Sequence, residues 1–478
     1  MYGFAFSRHR ERLGQTALEI NGWFLEVSDY VPVTELINTQ GKRVGAILGW
    51  AIDPTTSRLL RDSFTVPDTL HSAAAIHGGA IKPLIGTYIA IISTPDETRI
   101  YMDALGNLSV VFDPNNAIAG STAACVMSPE DYDSRFDSDL YAALEIEKEG
   151  WFPAGLTAHK GLERLIANHF LDCDKWEQVR HSAYEQVTDA AGPVEPQFAI
   201  IADEIRKSAE ASLAAGRKVT VGLTGGGDSR LLLAALKPVR DKVDFYTVAP
   251  PVNPDANFDV VRARELSKSF ELDHHVLEYV RADDKEANEW DRRVGDCVIT
   301  ANRRQHPSVY PLDGQICIGG LGGEVGRCFL WPDLDHLPPI NATSLVDLLK
   351  LPRVPNVIER VERWLAQLPA TETTKLLDIA YIELRMSAWS SVQSYANPHS
   401  VIIHPLASFA AIEAMLRLPP DYRQNDGMIF GFIKQYWPEL LDLPINRYGD
   451  WRDLKKPLAK ITNPTKVFRK LRQIVRTR

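Results

Sequence analysis

The chain has 478 residues, 45% hydrophobic and 24% charged, with a formal net charge of −9. That length exceeds one ordinary hydrophobic core, so two domains are expected, and the composition is that of a globular protein in water. The acidic balance argues against wholesale nucleic-acid binding. No stretch approaches about eighteen uninterrupted apolar residues and the first ten residues lack a signal-peptide core, so a cytoplasmic protein without an integral membrane segment is expected.

Cys125, Cys173, Cys297, Cys317 and Cys328 are odd in number and none has Cys-x-x-Cys spacing, which disfavours disulfides and zinc. In chain order, residues 1–187 read as a β-rich domain. The stretches 44–52, 86–92 and 98–102 are rich in β-branched and aromatic residues and lie between Pro, Asp, Gly and Asn turns. The turn 103–107 predicts a hairpin into 108–112, and a second hairpin is expected around 113–116. No convergent catalytic set stands out in this half. Two prolines and a glycine make 188–196 the expected linker.

Beyond it, Phe198, Ile201, Ile205, Ala209 and Leu213 repeat at three-to-four spacing, a helix that Gly216 ends. Residues 219–223 then read as a β-branched strand, 224–227 as a glycine turn, and 231–236 as a helix stopped by Lys237-Pro238. A glycine loop opening a helix points backbone N–H groups at an anion and adds the positive end of the helix dipole, so phosphate is its natural guest. Asp228 in that turn makes sense if Mg²⁺ lies between the carboxylate and the phosphates. The loop lacks the Gly-Lys-Ser/Thr of nucleoside-triphosphatase P-loops and the Gly-x-Gly-x-x-Gly of dinucleotide sites.

Thr224-Gly225-Gly226-Gly227-Asp228-Ser229 resembles the pyrophosphate loop, Ser/Thr-Gly-Gly-x-Asp-Ser, of ATP pyrophosphatases that activate a substrate as its adenylate. The plain alternative is a turn that only packs helix on strand. A strand over 243–248, a helix from Asp259 and a strand over 274–277 continue the alternation of a doubly wound parallel sheet, whose ligands lie beyond the carboxyl ends of the strands. His274 and His275 read as surface or core histidines. Asp259 is either an N-cap or first-turn carboxylate or, by resemblance, the start of the superfamily's helix after the second strand.

A second glycine segment spans 316–327. Gly320, Gly322 and Gly323 allow close backbone approach and Glu324 offers another carboxylate. It resembles the Ser-Gly-x-Gly-x-Asp segment of asparagine-synthetase-like enzymes, with Glu324 in place of the metal-binding Asp; a glycine-rich strand end is the plain alternative. Leu321 stands where asparagine synthetases carry a glutamate for incoming ammonia, and a leucine there is more like lasso-peptide cyclases. Stretches 86–90, 101–107, 118–122 and 165–172 resemble the glutaminase-like N-terminal domain of the same enzymes. A working glutaminase of that class needs cysteine after the initiator, and this chain has Tyr2, so the resemblance implies a degenerate domain without glutaminase activity, as in β-lactam synthetases.

The last third reads as helical over 345–351, 357–368 and 375–389. Residues 381–389 resemble the family's helix that faces the nucleotide, making Glu383 and Arg385 candidates for substrate contact, against a solvated helix face. Ser408 stands where the superfamily has Asp, and 428–437 resembles a helix that carries a lysine, here Lys434. The family's second lysine is absent from its expected place, so either Arg447 or Lys455 or Lys456 supplies the charge, or the chemistry differs. The basic end, with Lys466, Arg469, Lys470, Arg472, Arg476 and Arg478, reads as an amphipathic helix for an acidic partner, peptide or membrane surface, or as a solvated tail.

The resemblance implies an α/β protein: an N-terminal β-rich glutaminase-like (Ntn-type) sandwich at 1–187, a linker at 188–196, and a doubly wound parallel-sheet ATP-pyrophosphatase domain with a helical lobe at 197–478. ATP and Mg²⁺ are the implied cofactors. Leu223, Thr224, Gly225, Gly226, Gly227, Asp228, Ser229, Gly320, Gly322, Gly323 and Arg327 are expected on the nucleotide, and Asp228 and Glu324 on the metal. Asp228, Glu324, Glu383, Lys434 and Arg447 form the expected catalytic set. The implied reaction adenylates a carboxylate substrate, such as a precursor peptide, and lets an amine displace AMP, as in macrolactam or β-lactam cyclases. Ammonia-dependent amidation, a sulfur-transfer or tRNA-modifying pyrophosphatase and a non-catalytic partner in a biosynthetic complex are the alternatives.

Overall fold

The strand Ile85–Ser93 is buried along its whole length, as its near-continuous apolar sequence requires, and stands between Arg43–Asp53 and Thr98–Met102 in antiparallel register. The computed structural model describes residues 3–9, 17–148, 150–190, 192–295, 302–332, 339–396, 399, 401–449 and 453. In the first 187 residues two sheets form. One is ordered Glu163–Arg164, Val111–Asp113, Ile118–Gly120, Phe4–Ser7, Trp23–Val27, Ala17–Ile20. The other runs Glu177–Arg180, His169–Asp172, Thr98–Met102, Ile85–Ser93, Arg43–Asp53, Val33–Asn38, Ser63–Val66. Phe4, Phe6 and Leu25 of the first share one buried cluster with Leu48, Ile89 and Ile91 of the second.

One expected hairpin forms and the other does not. Val111–Asp113 pairs back on Ile118–Gly120, with Asp113 accepting from the Asn115 and Asn116 N–H groups in the turn. Residues 103–107, by contrast, carry the chain from one sheet to the other. The Asp103 carboxylate accepts from the N–H groups of Tyr88, Leu105 and Asn107, so this turn is closed by a side chain rather than by a strand ladder.

The remaining residues build a five-stranded parallel sheet flanked by helices. Its order is His274–Leu277, Asp244–Val248, Val219–Gly222, Ile316–Ile318, Val401–Ile403, and every pairing is parallel. The chain leaves Val219–Gly222 first toward one edge and later returns to build toward the other. Before it comes the helix Glu195–Ala214, with Phe198, Ile201, Ile205 and Ala209 buried and Pro196 in its first turn, where the missing N–H costs nothing. Among the described residues no helix is long and apolar enough to cross a membrane. Among the described residues, Cys125, Cys173, Cys317 and Cys328 are buried and form no disulfide. Tyr2, Cys297, Lys455, Lys456 and the basic end from Lys466 onward lie outside the described residues.

The N-terminal sheets and the parallel-sheet half are tied by polar contacts as well as by a shared core. Thr87 Oγ1 donates to the Ile402 carbonyl at 2.7 Å, and Ser390 Oγ donates to the Leu105 and Gly106 carbonyls at 2.8 Å each. The helix expected over 375–389 is interrupted. Thr373–Ala380 and Ser387–Ala396 are α-helical, and Tyr381–Met386 between them is a wider π-helical stretch.

Glu383 lies in that stretch and departs from the expectation of a catalytic or substrate-contacting group. Its side chain is wholly enclosed. It ion-pairs with Arg180 at 2.8 Å and accepts hydrogen bonds from Asn168 Nδ2 at 2.9 Å and Trp364 Nε1 at 2.7 Å. Every one of these partners is protein, and two of them belong to the N-terminal half. Removing one member of a buried ion pair leaves an uncompensated charge, so Glu383→Ala is expected to lower the unfolding free energy by about 3–5 kcal/mol. Urea denaturation checks the loss.

Candidate functional site

The central strand pair sets the site. Val219 lies opposite Ile316, Thr220 opposite Cys317 and Val221 opposite Ile318, so both glycine segments leave the sheet side by side at the carboxyl edge. This is also where the strand order reverses direction, the place where open α/β sheets bind ligands.

The first segment is held from several sides. The Leu223 N–H donates to the Tyr246 carbonyl at 2.8 Å, and its own carbonyl accepts from Thr247 Oγ1 at 2.6 Å. His274 Nε2 lies 2.9 Å from that hydroxyl, and burial pulls its pKa down to about 4, which makes it a neutral support for the strand end. Thr224 Oγ1 and Ser229 Oγ are 3.1 Å apart across the turn. The Gly225 N–H donates to Asp259 Oδ1 at 2.9 Å and the Gly226 N–H to Thr224 Oγ1 at 3.2 Å, so these two donors already have acceptors. Asp259 therefore positions the loop, whereas Asn257 caps its helix through the Asp259 and Val260 N–H groups. A Cβ at Gly225 would lie 2.1 Å from the Phe258 ring, so any side chain there would have to displace that ring.

Gly226 precedes the helix Gly227–Ala235 and no side chain caps it, which leaves the positive end of the helix open to an anion. Asp228, in the first turn, meets the second segment. Its Oδ2 accepts from Arg327 Nη2 at 2.7 Å, and the same nitrogen lies 3.6 Å from Glu324 Oε1. Asp228 Oδ1 and Glu324 Oε2 are buried without a hydrogen-bond partner. Two orphaned carboxylate oxygens are the donor set a hard divalent cation takes, so the residues fit Mg²⁺. A Cβ at Gly323 would come within 2.7 Å of Asp228 Oδ1, and one at Gly320 within 3.1 Å of Asp228 Cβ. Gly322 is buried, and a Cβ there would meet the Leu406 carbonyl at 2.8 Å. Burial pushes the Asp228 carboxyl up to about 6, with Arg327 pulling it down and Glu324 and Asp426 pushing it further up.

The 440–448 segment is fastened to the loop by two buried arginines. Arg230 donates to the carbonyls of Leu440, Leu443 and Pro444, and Arg262 to those of Arg447 and Tyr448. The Asn446 N–H then donates to the Gly225 carbonyl at 2.9 Å. Arg447 is exposed, with its backbone beside the loop. Lys434 does not join this assembly: it is exposed in the last turn of the helix Gly427–Tyr436, and among the described residues no hydrogen bond or ion pair links it to the loop. Ser408 acts as an N-cap, accepting from the Ala411 N–H at 3.1 Å.

Tyr381 and Arg385 also lie against Glu324. Burial raises the Tyr381 phenol well above its usual pKa, with Glu324 adding to the rise; burial lowers Arg385, opposed by Tyr381 and Glu324. Tyr381 is the residue the sequence reading left without a role. Another carboxylate and histidine group, Asp244, Asp273 and His275, sits at the amino end of the strands, opposite the glycine segments, with Lys218 ion-paired to Asp244. A surface cleft of about 340 Å³ is lined only by N-terminal residues, among them Arg8, Trp23 and Asp174.

No protein-family model matches the chain, and no curated protein matches it. Partial overlaps occur with solved structures. An NH3-dependent NAD synthetase from Campylobacter jejuni overlaps with TM-score 0.21 and 12% identity, over 37% of this chain and 74% of that one. A glutamine-dependent NAD+ synthetase from Acinetobacter baumannii overlaps with TM-score 0.20 and 17% identity, over 45% of this chain and 42% of that one. A U34-tRNA thiolase from Methanococcus maripaludis gives TM-score 0.23 and 13% identity, over 55% and 81%. Overlaps of this size carry no weight for fold or activity.

The raised Asp228 pKa has a sign that can be measured. Below about pH 6 the carboxyl keeps its proton and loses its hold on a cation, so Mg²⁺ affinity should fall with acidification, by at most about tenfold per pH unit. Calorimetric titration with Mg²⁺ from pH 5 to 8 checks this against Asp228→Asn, in which that pH dependence should be gone. Gly323→Ala should weaken Mg²⁺ binding at every pH.

Proposed function

We propose that the chain is an ATP-dependent ligase that forms AMP and pyrophosphate while making an amide bond. The observation that carries this reading is the meeting of an uncapped helix N-terminus with two carboxylates whose inner oxygens lack partners, at the switch point of a parallel sheet. An anion and a cation are both accommodated there, as a metal-bound polyphosphate requires. Mg²⁺ held by Asp228 and Glu324 would neutralise phosphate charge.

In the first step a substrate carboxylate oxygen attacks the α-phosphorus of ATP. The α–β phosphoanhydride bond breaks, and pyrophosphate leaves with the electron pair onto the first-turn N–H groups and Arg327. In the second, an amine nitrogen attacks the acyl carbon, the bond to AMP breaks, and the nitrogen releases its proton to water. Arg447, whose backbone lies beside Gly225, is preferred to Lys434 as the cation for the acyl-adenylate. Leu321, half-buried among the second glycines, offers nothing polar to an incoming ammonia, which favours an amine of the substrate itself or of a second substrate and hence a macrolactam or β-lactam type of cyclisation. A degenerate glutaminase-like role for residues 1–187, and a precursor peptide as the carboxylate donor, belong to the same reading.

Incubation with ATP, Mg²⁺ and panels of carboxylates and amines, with nucleotide products resolved by chromatography, tests it. AMP and pyrophosphate in equal amounts, reduced at least about a hundredfold by Asp228→Ala, are expected. ADP and phosphate as the products would overturn the mechanism.

A further inference from the structure

Beside the carboxylate pair, near enough to Glu324 and Tyr381 to feel their charge, stands a guanidinium that makes no hydrogen bond among the described residues. The Arg385 Cζ lies 4.9 Å from the Trp389 ring centre, 5.1 Å from Phe329 and 5.7 Å from Trp151. Three rings surround it at cation–π distance, and among the described residues no acceptor takes a hydrogen bond from it. The residue as a whole is half-buried. The Trp389 Nε1–H is itself buried without an acceptor. Phe329 is 52% exposed, an unusual state for a phenylalanine next to a charged cleft. The π-helical stretch that carries Arg385 widens the helix there, a distortion that re-aims side chains and recurs at functional sites.

Unpartnered donors bounded by aromatic rings call for an acceptor-only group attached to something flat and apolar. A guanidinium fork matches a carboxylate in two parallel hydrogen bonds, and the rings exclude water that would weaken them. We propose that Arg385, boxed by Trp151, Trp389 and Phe329, is the carboxylate anchor of the acyl-substrate pocket, which takes a carboxylate borne next to a planar apolar group. This rests on the ligase reading for what happens to the anchored carboxylate. Because Trp151 comes from the N-terminal half, that half supplies one wall of the pocket.

Benzoate and phenylacetate are the probes, with benzamide and benzylammonium as neutral and cationic controls of the same shape and acetate as the anion without a ring. Binding is followed by tryptophan emission, with Trp389→Phe reporting whether the signal arises at the box. Both aryl carboxylates should bind saturably and the three controls at least about tenfold more weakly. Arg385→Gln should lose about tenfold or more for benzoate, Arg385→Lys less, and Trp389→Phe should remove most of the emission change. Equal binding of benzamide and benzoate, unchanged benzoate binding in Arg385→Gln, or no binding of any aryl carboxylate to the wild-type chain would each overturn the proposal. Mg²⁺·ATP affinity is measured on the same preparations. Benzoate binding without ATP binding would keep the pocket and remove the ligase reading; ATP binding without benzoate binding would do the reverse.

Discussion

The chemistry of this molecule depends on one register, the parallel pairing of Val219–Gly222 with Ile316–Ile318. Neither glycine segment is a site by itself. The first offers a helix N-terminus and a carboxylate, the second a carboxylate and an arginine; only when the strands stand side by side do Asp228, Glu324 and Arg327 come within ion-pairing reach. A slip of one residue would move the second segment by roughly 3.3 Å and separate the three groups. The glycines are the price of that closeness, since a methyl at 323 would occupy the space of an Asp228 oxygen.

The N-terminal sheets bear on the site through backbone and rings rather than through acids and bases. The turn at 103–107, closed on itself by Asp103, places Leu105 3.2 Å from a Cβ position at Gly322, and Ser390 fixes the same turn from the helical side. Glu383, Arg180, Asn168 and Trp364 lock the two halves a few residues from Tyr381 and Arg385. The enclosed carboxylate thus holds the helix that presents the half-buried guanidinium.

What the sequence made legible was local. Strands 43–53 and 85–93, the helix ended by Gly216 and the strand, loop and helix around Asp228 all follow from alternation, apolar periodicity and glycine. Partners far along the chain left no such trace. Asp259 accepts from Gly225 because a helix after the next strand begins beside the loop, and nothing in its spacing distinguishes that from an N-cap. The turn at 103–107 has hairpin residues yet changes sheets, since Asp and Asn close a turn whether or not strands continue from it. Glu383 read as a candidate for substrate contact because Arg180, which neutralises it, and Asn168, which donates to it, lie some two hundred residues earlier.

Arg327 answers an electrostatic problem that the glycine segments create. Two carboxylates in a poorly solvated cleft repel one another, and burial already holds Asp228 near pH 6. A guanidinium on one oxygen of Asp228 and near one of Glu324 offsets that repulsion without occupying both carboxylates. One buried oxygen of each stays unpaired, so a divalent cation has ligands there while the ion pair persists. The arginine spans both acids through one nitrogen, 2.7 Å from Asp228 Oδ2 and 3.6 Å from Glu324 Oε1, so the cleft keeps a positive charge beside the two free oxygens.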